Sequence, residues 1–496
     1  MARELRKAVQ LATLRGYQVD GEGLTFLRSL GEEEAVTLME EAIKLAEGGK
    51  PKPIVIGKEL LERSKERLEE SKSAVSLKTK APLAKEFESR VEILKDPTEK
   101  VSSNGSLEDF VHYFRSRFEK LREVLQRRID GRGASTLLEA LRSPQNSKVK
   151  FIAMIMEKRE RGGKIFLKVE DQTASGTAVV FKDKRETYEL AQKLVLDQVV
   201  CMEGVRIKNG LIAVESLVYP DLPERKVKGA EEEVSVALVG DIHCGSKAFL
   251  KETFEKLVLW LNGGAGNKKQ REAAGRIKYL VVLGDLVDGV GVYPGQEKEL
   301  EIADIYEQYR LVAKYLEKIP EYIEVITIPG NHDGARQALP QPAIPRELIE
   351  PVQEARKIVL VGNPAEVRLH GVSFLLYHGT SMNDLISAVP GLSYERPERG
   401  LELLLKIRHL APIYGAGTPI APGEEDLLVV EEPPDVFSAG HVHVVDYGWY
   451  KGSAVVSCGT WQAQTEYQRK LNVRPTPGVL PVIRLDSMQV NVVNFL

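Results

Sequence analysis

The sequence predicts a multidomain α/β chain in which a small helical unit leads into a small closed β-barrel and then a layered α/β domain. Three features carry that expectation. Apolar residues recur at three and four spacing near the front. The period drops to two between Lys148 and about Pro223. Beyond Val234, apolar runs alternate with helical segments and end in polar residues.

Two helices open the chain. RELRKAVQLATLRGYQV and EEEAVTLMEEAIKLAEGG are amphipathic, and a Gly-Gly pair stops the second, so a small helical domain is expected over 1–65. Residues 66–104 turn charged and aperiodic, which marks a flexible linker with room for a short strand, VEIL. LEDFVHYFRSRFEKLREVLQRR is amphipathic again and makes 105–147 a helical connector closed by SPQNS. Over 148–225 come five short strands with glycine turns and one helix, ETYELAQKLV, between the third and fourth. That is the order of an OB-type barrel. The last domain, 232–496, reads strand, helix, strand, helix, strand through VSVALVG, TFEKLVLWLN, IKYLVVLGD, IYEQYRLVAKYLEKI and IEVITIPG. VSFLLYHG and SAVVSCGTW are among the strands that follow. Ligands of such layered domains gather at the carboxyl ends of the strands.

Composition narrows the function. With 69 basic and 72 acidic residues the net charge is −3, so there is no global nucleic-acid footprint. A DNA-acting chain of this balance needs local basic patches, metal ions, or a partner that holds the DNA. No apolar run reaches the roughly 18 residues of a membrane span. The charged start MARELRKAVQ lacks the apolar segment of a signal peptide, so a cytoplasmic location without membrane contact is expected. Three scattered cysteines, Cys201, Cys244 and Cys458, exclude a disulfide framework.

Five segments end in side chains that bind metals. They are GDIHCG (Asp241, His243), LGDLVDG (Asp285, Asp288), PGNHDG (Asn331, His332, Asp333), YHG (His378) and AGHVHV (His441, His443). Each alone could be a cap, a turn or a packed core histidine. Together they hold five of the eight histidines in the chain, each set following an apolar run, and chance convergence competes poorly. Imidazole and carboxylate donors suit Mn, Fe, Zn or Ni better than a thiolate site would. Two divalent cations sharing a carboxylate could activate a water and take up phosphate oxygens. A histidine not spent on metal could protonate the leaving oxygen.

The order D-x-H, GD-x-x-D, GNHD, H, GH-x-H resembles that of the calcineurin-like metallophosphoesterases. The resemblance implies an α/β sandwich and assigns roles. Asp241, His243 and His443 would hold one metal, Asn331, His378 and His441 the second, and Asp285 would bridge them. His332 would be the catalytic acid, oriented by Asp288. The longer strings LVDGVGVYPGQE, PGNHDGARQALPQP, HLAPIYGAGTPIAP and SCGTWQAQTEYQ, behind an OB-like barrel, resemble the small subunits of archaeal family-D DNA polymerases over about 145–496. Those resemble the B-subunits of eukaryotic replicative polymerases, which have lost metal ligands and serve as scaffolds. Every ligand position is retained here.

The resemblance therefore implies a 3′–5′ exonuclease that proofreads for a separate large polymerising subunit. It works with two divalent ions, Mn²⁺ first and Fe, Zn, Ni or Mg as alternatives. The implied partners are that large subunit, single-stranded or mismatched DNA 3′ ends and, through the complex, the sliding clamp, with a nucleoid-associated place of work. Two other readings stand beside it: another phosphodiesterase or phosphatase of the superfamily, or mainly a non-catalytic scaffold subunit. The barrel offers Phe151, Phe166, Phe181 and Tyr188, most of them expected in its core, and protein contact is its leading expected role. Cys244 is expected to pack rather than ligate.

Overall fold

In the computed structural model, which describes residues 3–28, 30, 32–48, 55–65, 81–101, 103 and 105–496, the chain divides into two units, Met1–Ala81 and Pro82–Leu496. In the first, helices Arg3–Leu14, Gly21–Arg28 and Glu32–Gly48 turn Ala8, Ala12, Leu27 and Met39 onto a common core. The short strands β1 (Gln18–Val19) and β2 (Val55–Ile56) pair in parallel beside it. Much of the expected linker, 66–80, lies outside the described residues. The rest of that segment is not all linker, because it contains the strand β3 (Val91–Lys95), which joins a sheet of the C-terminal domain.

The connector helix Leu107–Arg127 starts on a Ser106–Asp109 capping box. Its apolar stripe of Phe118, Leu121 and Leu125 packs with Ile152, Met154 and Val429, joining barrel to C-terminal domain. Just before the stripe, Arg117 is fully buried. Its guanidinium donates to Asp426 Oδ2 (2.8 Å), the Pro412 carbonyl (2.7 Å) and the Tyr113 hydroxyl (2.8 Å). A buried charge this fully bonded fixes the docking angle more than it adds stability.

The barrel consists of β4 (Lys148–Arg161), β5 (Lys164–Glu170), β6 (Ser175–Phe181), β7 (Val199–Arg206) and β8 (Leu211–Val218), closed in the order β4-β5-β6-β8-β7. Alternation does the folding: Ile165, Leu167 and Val169 fill the interior while Lys164, Phe166 and Lys168 face outward. The helix Arg185–Gln192 sits between β6 and β7, as the OB order requires.

Two six-stranded sheets form the C-terminal sandwich. One contains β9 (Ser235–Val239), β10 (Ile277–Leu283), β11 (Glu324–Ile328) and β12 (Val359–Leu360), with β18 (Val479–Arg484) and β19 (Val490–Asn494) beyond β9. The other orders β16 (Asp446–Tyr450), β17 (Ser453–Ser457), β15 (Val436–Ala439), β14 (Val372–Tyr377), β13 (Ala365–Leu369) and β3. Val236, Leu238, Val281, Phe374 and Val456 interdigitate between the sheets. Helices Lys251–Leu261 and Ile305–Leu316 cover the outer face of the first, so every residue of β9 and β10 is buried. No helix among the described residues is long and apolar enough to cross a membrane.

Candidate metal centre

All five motifs follow strands of the sandwich core. β9 runs into Asp241 and His243, β10 into Asp285 and Asp288, and β11 into Asn331 and His332; these three strands are parallel neighbours. In the facing sheet the parallel pair β14 and β15 runs into His378 and into His441 and His443. The backbone then turns sharply. Asp241, His243, Asp285, His441 and His443 all have φ between 52° and 70°, the left-handed region that non-glycine residues avoid. Each costs about 1 kcal/mol or more, and such strain gathers where side-chain placement matters more than stability.

Three groups of ligand atoms result. Those of Asp241, His243 and His443 lie within 4.8 Å of one another, as do those of Asp285, His378 and His441; a third group, His243, Asp288 and His332, shares His243 with the first. Asp285 Oδ2 stands between the first two groups, 3.8 Å from His243 Nε2 and 3.4 Å from His378 Nε2, while Oδ1 accepts from the His332 main-chain N–H at 2.8 Å. Asn331 Oδ1 is 2.9 Å from His378 Nε2, which brings the remaining expected ligand into the second group.

The donors fit divalent ions. Asp241, Asp285 and Asp288 are buried, and no lysine or arginine among the described residues ion-pairs with them. Uncompensated buried carboxylates are costly, so positive charge must come from elsewhere. Burial alone would lower the histidines, but the carboxylates outweigh it at two of them. His243 is pushed up to about 9 by its Asp288 hydrogen bond and by Asp285, and His378 to about 9 by Asp285. The site demands cations, and two divalent ions would replace those protons. His378 is set for this: its Nδ1–H donates to the Leu283 carbonyl (2.8 Å), which aims Nε2 at Asp285 and Asn331. His243 Nε2 and His443 Nε2 likewise converge, 3.2 Å apart.

His332 differs from the other four motif histidines in its bonding. Its ring, partly buried like that of His441, packs edge-on to His243, with centroids 4.7 Å apart. Its Nδ1–H donates to the main-chain carbonyl of Asp288 at 2.7 Å. This corrects the expectation that the Asp288 carboxylate orients His332. That carboxylate is engaged elsewhere: Oδ1 accepts from His243 Nδ1 (2.9 Å) and Gln462 Nε2 (3.2 Å), and Oδ2 from Gln296 Nε2 (3.3 Å). Asp288 thus holds His243, an expected ligand, through its side chain and His332 through its backbone. Burial holds the His332 imidazole below its ordinary value despite the nearby Asp285.

Sequence reasoning missed several supports. Gln468 Nε2 lies 2.7 Å from His443 Nδ1, and Asn383 Nδ2 lies 2.9 Å from His441 Nε2 with Tyr394 donating to Asn383 Oδ1. Neutral amides on remote helices carry no motif. Asp333, inside GNHDG, is a brace: it accepts from the main-chain N–H groups of Leu286 and Gly330 and from the Tyr309 hydroxyl. Cys244 packs in the core, and its backbone pairs with the Asp285–Asp288 turn.

Fold and site together define a calcineurin-like phosphoesterase with two Asp/His clusters suited to two divalent ions, carried behind an OB-type barrel. Residues 236–444 match the family model of the DNA polymerase alpha/epsilon B-subunit. The DNA polymerase II small subunit of Archaeoglobus fulgidus is 38% identical over 95% of this chain and 94% of its own length. That of Pyrococcus furiosus is 40% identical over 82% of this chain and 67% of its own. The chain belongs to this family of DNA polymerase small subunits. Among solved structures, an archaeal phosphodiesterase aligns over 52% of this chain and 99% of its own, at 13% identity and a TM-score of 0.27.

Proposed function

We propose that the chain is the proofreading small subunit of an archaeal replicative polymerase, a metal-dependent 3′–5′ exonuclease that hydrolyses DNA phosphodiesters. The observation that carries this reading is the complete donor set, two Asp/His groups meeting at Asp285. A pure scaffold has no use for buried, strained ligands. Asp241, His243 and His443 would hold one ion and Asn331, His378 and His441 the other, with Asp285 between; manganese suits this imidazole–carboxylate mixture. When bound, two such ions supply an activated water at neutral pH and offset charge on the phosphate oxygens.

The protein's own contribution lies at His332. With Nδ1–H held by the Asp288 carbonyl, it is the imidazolium form of His332, protonated on Nε2 as well, that gives a proton to the departing 3′-oxygen and returns to the neutral ring. A terminal nucleotide must leave the duplex to reach a recessed site, which favours frayed and mismatched ends. The relatives' designation as a DNA polymerase small subunit supports assembly with a large polymerising subunit; we place that complex at the chromosome in the cytoplasm, in contact with the sliding clamp.

The test is a pair of DNA duplexes, one matched and one with a 3′-terminal mismatch, labelled at either end and incubated with Mn²⁺. The chain, alone or with its co-purified partner, should shorten the mismatched strand faster and from the 3′ side. Preferential loss from the 5′ side would reverse the assignment.

A further inference from the structure

We infer that the outer face of barrel strands β4, β5 and β6 is a binding surface for single-stranded DNA, separate from the metal centre. The inference rests on the reading that the chain acts on DNA, and the register of the sheet builds it. Cross-strand pairing lays three rows over the face: Arg161, Lys164 and Phe181; then Arg159, Phe166 and Val179; then Glu157, Lys168 and Thr177. Each row sets a cation beside an aromatic ring or a hydroxyl.

Burial separates this face from the core. Phe151, Tyr188 and Tyr219, the other three aromatics of this segment, are buried, whereas Phe166 and Phe181 are only half-buried. Arg159 and Lys168 flank Phe166 with side chains 79% and 55% exposed. The Lys164 ammonium lies 5.3 Å from the centre of the Phe181 ring. A depression of about 360 Å³ opens between Arg159, Phe166, Lys168 and Thr177.

Chemistry selects the occupant. Four cations share the face with Glu157, and Glu170 lies one row further on, although the chain as a whole carries −3. An acidic protein segment would satisfy the cations but leave the two half-buried rings without a use. A polyanion that also carries flat apolar faces satisfies both, and single-stranded DNA is that ligand. Its bases stack on Phe166 and Phe181 while its phosphates run past Arg159, Lys164 and Lys168. Lys164 to Lys168 spans about 13 Å of strand, room for a few nucleotides. Glu157 holds Arg159 (2.6 Å) and Lys168 (3.4 Å) in the free protein, and both cations exchange that carboxylate for phosphate on binding.

The test measures anisotropy of a labelled oligothymidylate with the full chain in EDTA, where no hydrolysis intrudes. Phe166→Ala should weaken binding about 5- to 100-fold. Phe166→Leu, which keeps the apolar packing on Val179 and so guards against misfolding, should weaken it as well. Arg159→Ala with Lys168→Ala should flatten the slope of log K against log salt by about 1.4, and Glu157→Gln should tighten binding. Wild-type affinity in the folded Phe166 and double variants overturns the inference. So does unchanged oligonucleotide binding with lost association to the large subunit, which would make the face a protein interface. Because binding is read without metal, a chain that shows this pattern but fails to degrade DNA in Mn²⁺ would refute the nuclease reading alone.

Discussion

Gly330 offers a perturbation confined to shape. It precedes Asn331 at the end of β11, and a Cβ placed there would stand 2.1 Å from Asp285 Oδ1, 2.5 Å from the Asp285 main-chain nitrogen and 2.7 Å from His378 Cε1. Its φ is not in the left-handed region, so alanine suits the backbone and only the contact is at fault. Relieving it needs a shift of about 1 Å, against atoms fixed by the His332 N–H and the Leu283 carbonyl. A misplacement of about 1 Å costs roughly 10²-fold in rate when it falls on a positioning group. Gly330→Ala should therefore lose about 10²-fold in kcat on a 3′-labelled oligonucleotide at saturating Mn²⁺. Overpacking should also lower stability by about 1–3 kcal/mol. Gly21→Ala, whose Cβ meets nothing within 4 Å, is the control. A folded Gly330→Ala protein with kcat within about threefold of wild type would show that Asp285 is not at the catalytic centre, since the stated cost is far larger.

Two further predictions separate roles within the site. His332→Ala should lower hydrolysis by roughly 10²–10⁴-fold while metal binding by calorimetry stays intact; an emptied metal site would make His332 a ligand instead. Asp288→Asn should act through His243, weakening metal affinity about 10- to 100-fold with activity restored by excess Mn²⁺; a loss that metal cannot rescue would contradict that. A third prediction follows from the two histidines raised to about 9. Both are protonated in the metal-free chain at neutral pH and must be neutral as ligands. Loading two ions at pH 7 should therefore release about two protons, falling to about one at pH 9, measured in buffers of differing ionisation enthalpy. The sign carries over to stability. Because these folded values lie above the unfolded one, their stabilisation of the metal-free chain is present below about pH 6.5 and lost as pH rises through 9.

Much of this was legible because the chemistry is contiguous in sequence. Motifs such as GDIHCG and PGNHDG place candidate ligands right after apolar runs, and parallel strands bring the ends together. The barrel was legible from alternation and from the position of its helix. What escaped depends on partners far away in the chain. VEIL was legible as a short strand, but nothing in it says that Ile93 will pair with Val367, more than 270 residues on, so its sheet was not. The spacing GD-x-x-D places Asp288 near His332 but not which of its oxygens faces which ring; the turn gives the carbonyl to His332 and the carboxylate to His243. Gln468 and Asn383 reach His443 and His441 through tertiary packing alone. The basic face on the barrel was hidden by a net charge of −3 and became visible only when strand register put the cations in rows.

The central claim is that these strand ends hold two metal ions side by side, and anomalous diffraction from Mn²⁺-soaked crystals tests it most directly. The account predicts two anomalous peaks about 3.5–4 Å apart, one against Asp241, His243 and His443, the other against Asn331, His378 and His441, with Asp285 touching both. A single peak, or two that share no carboxylate, would contradict it.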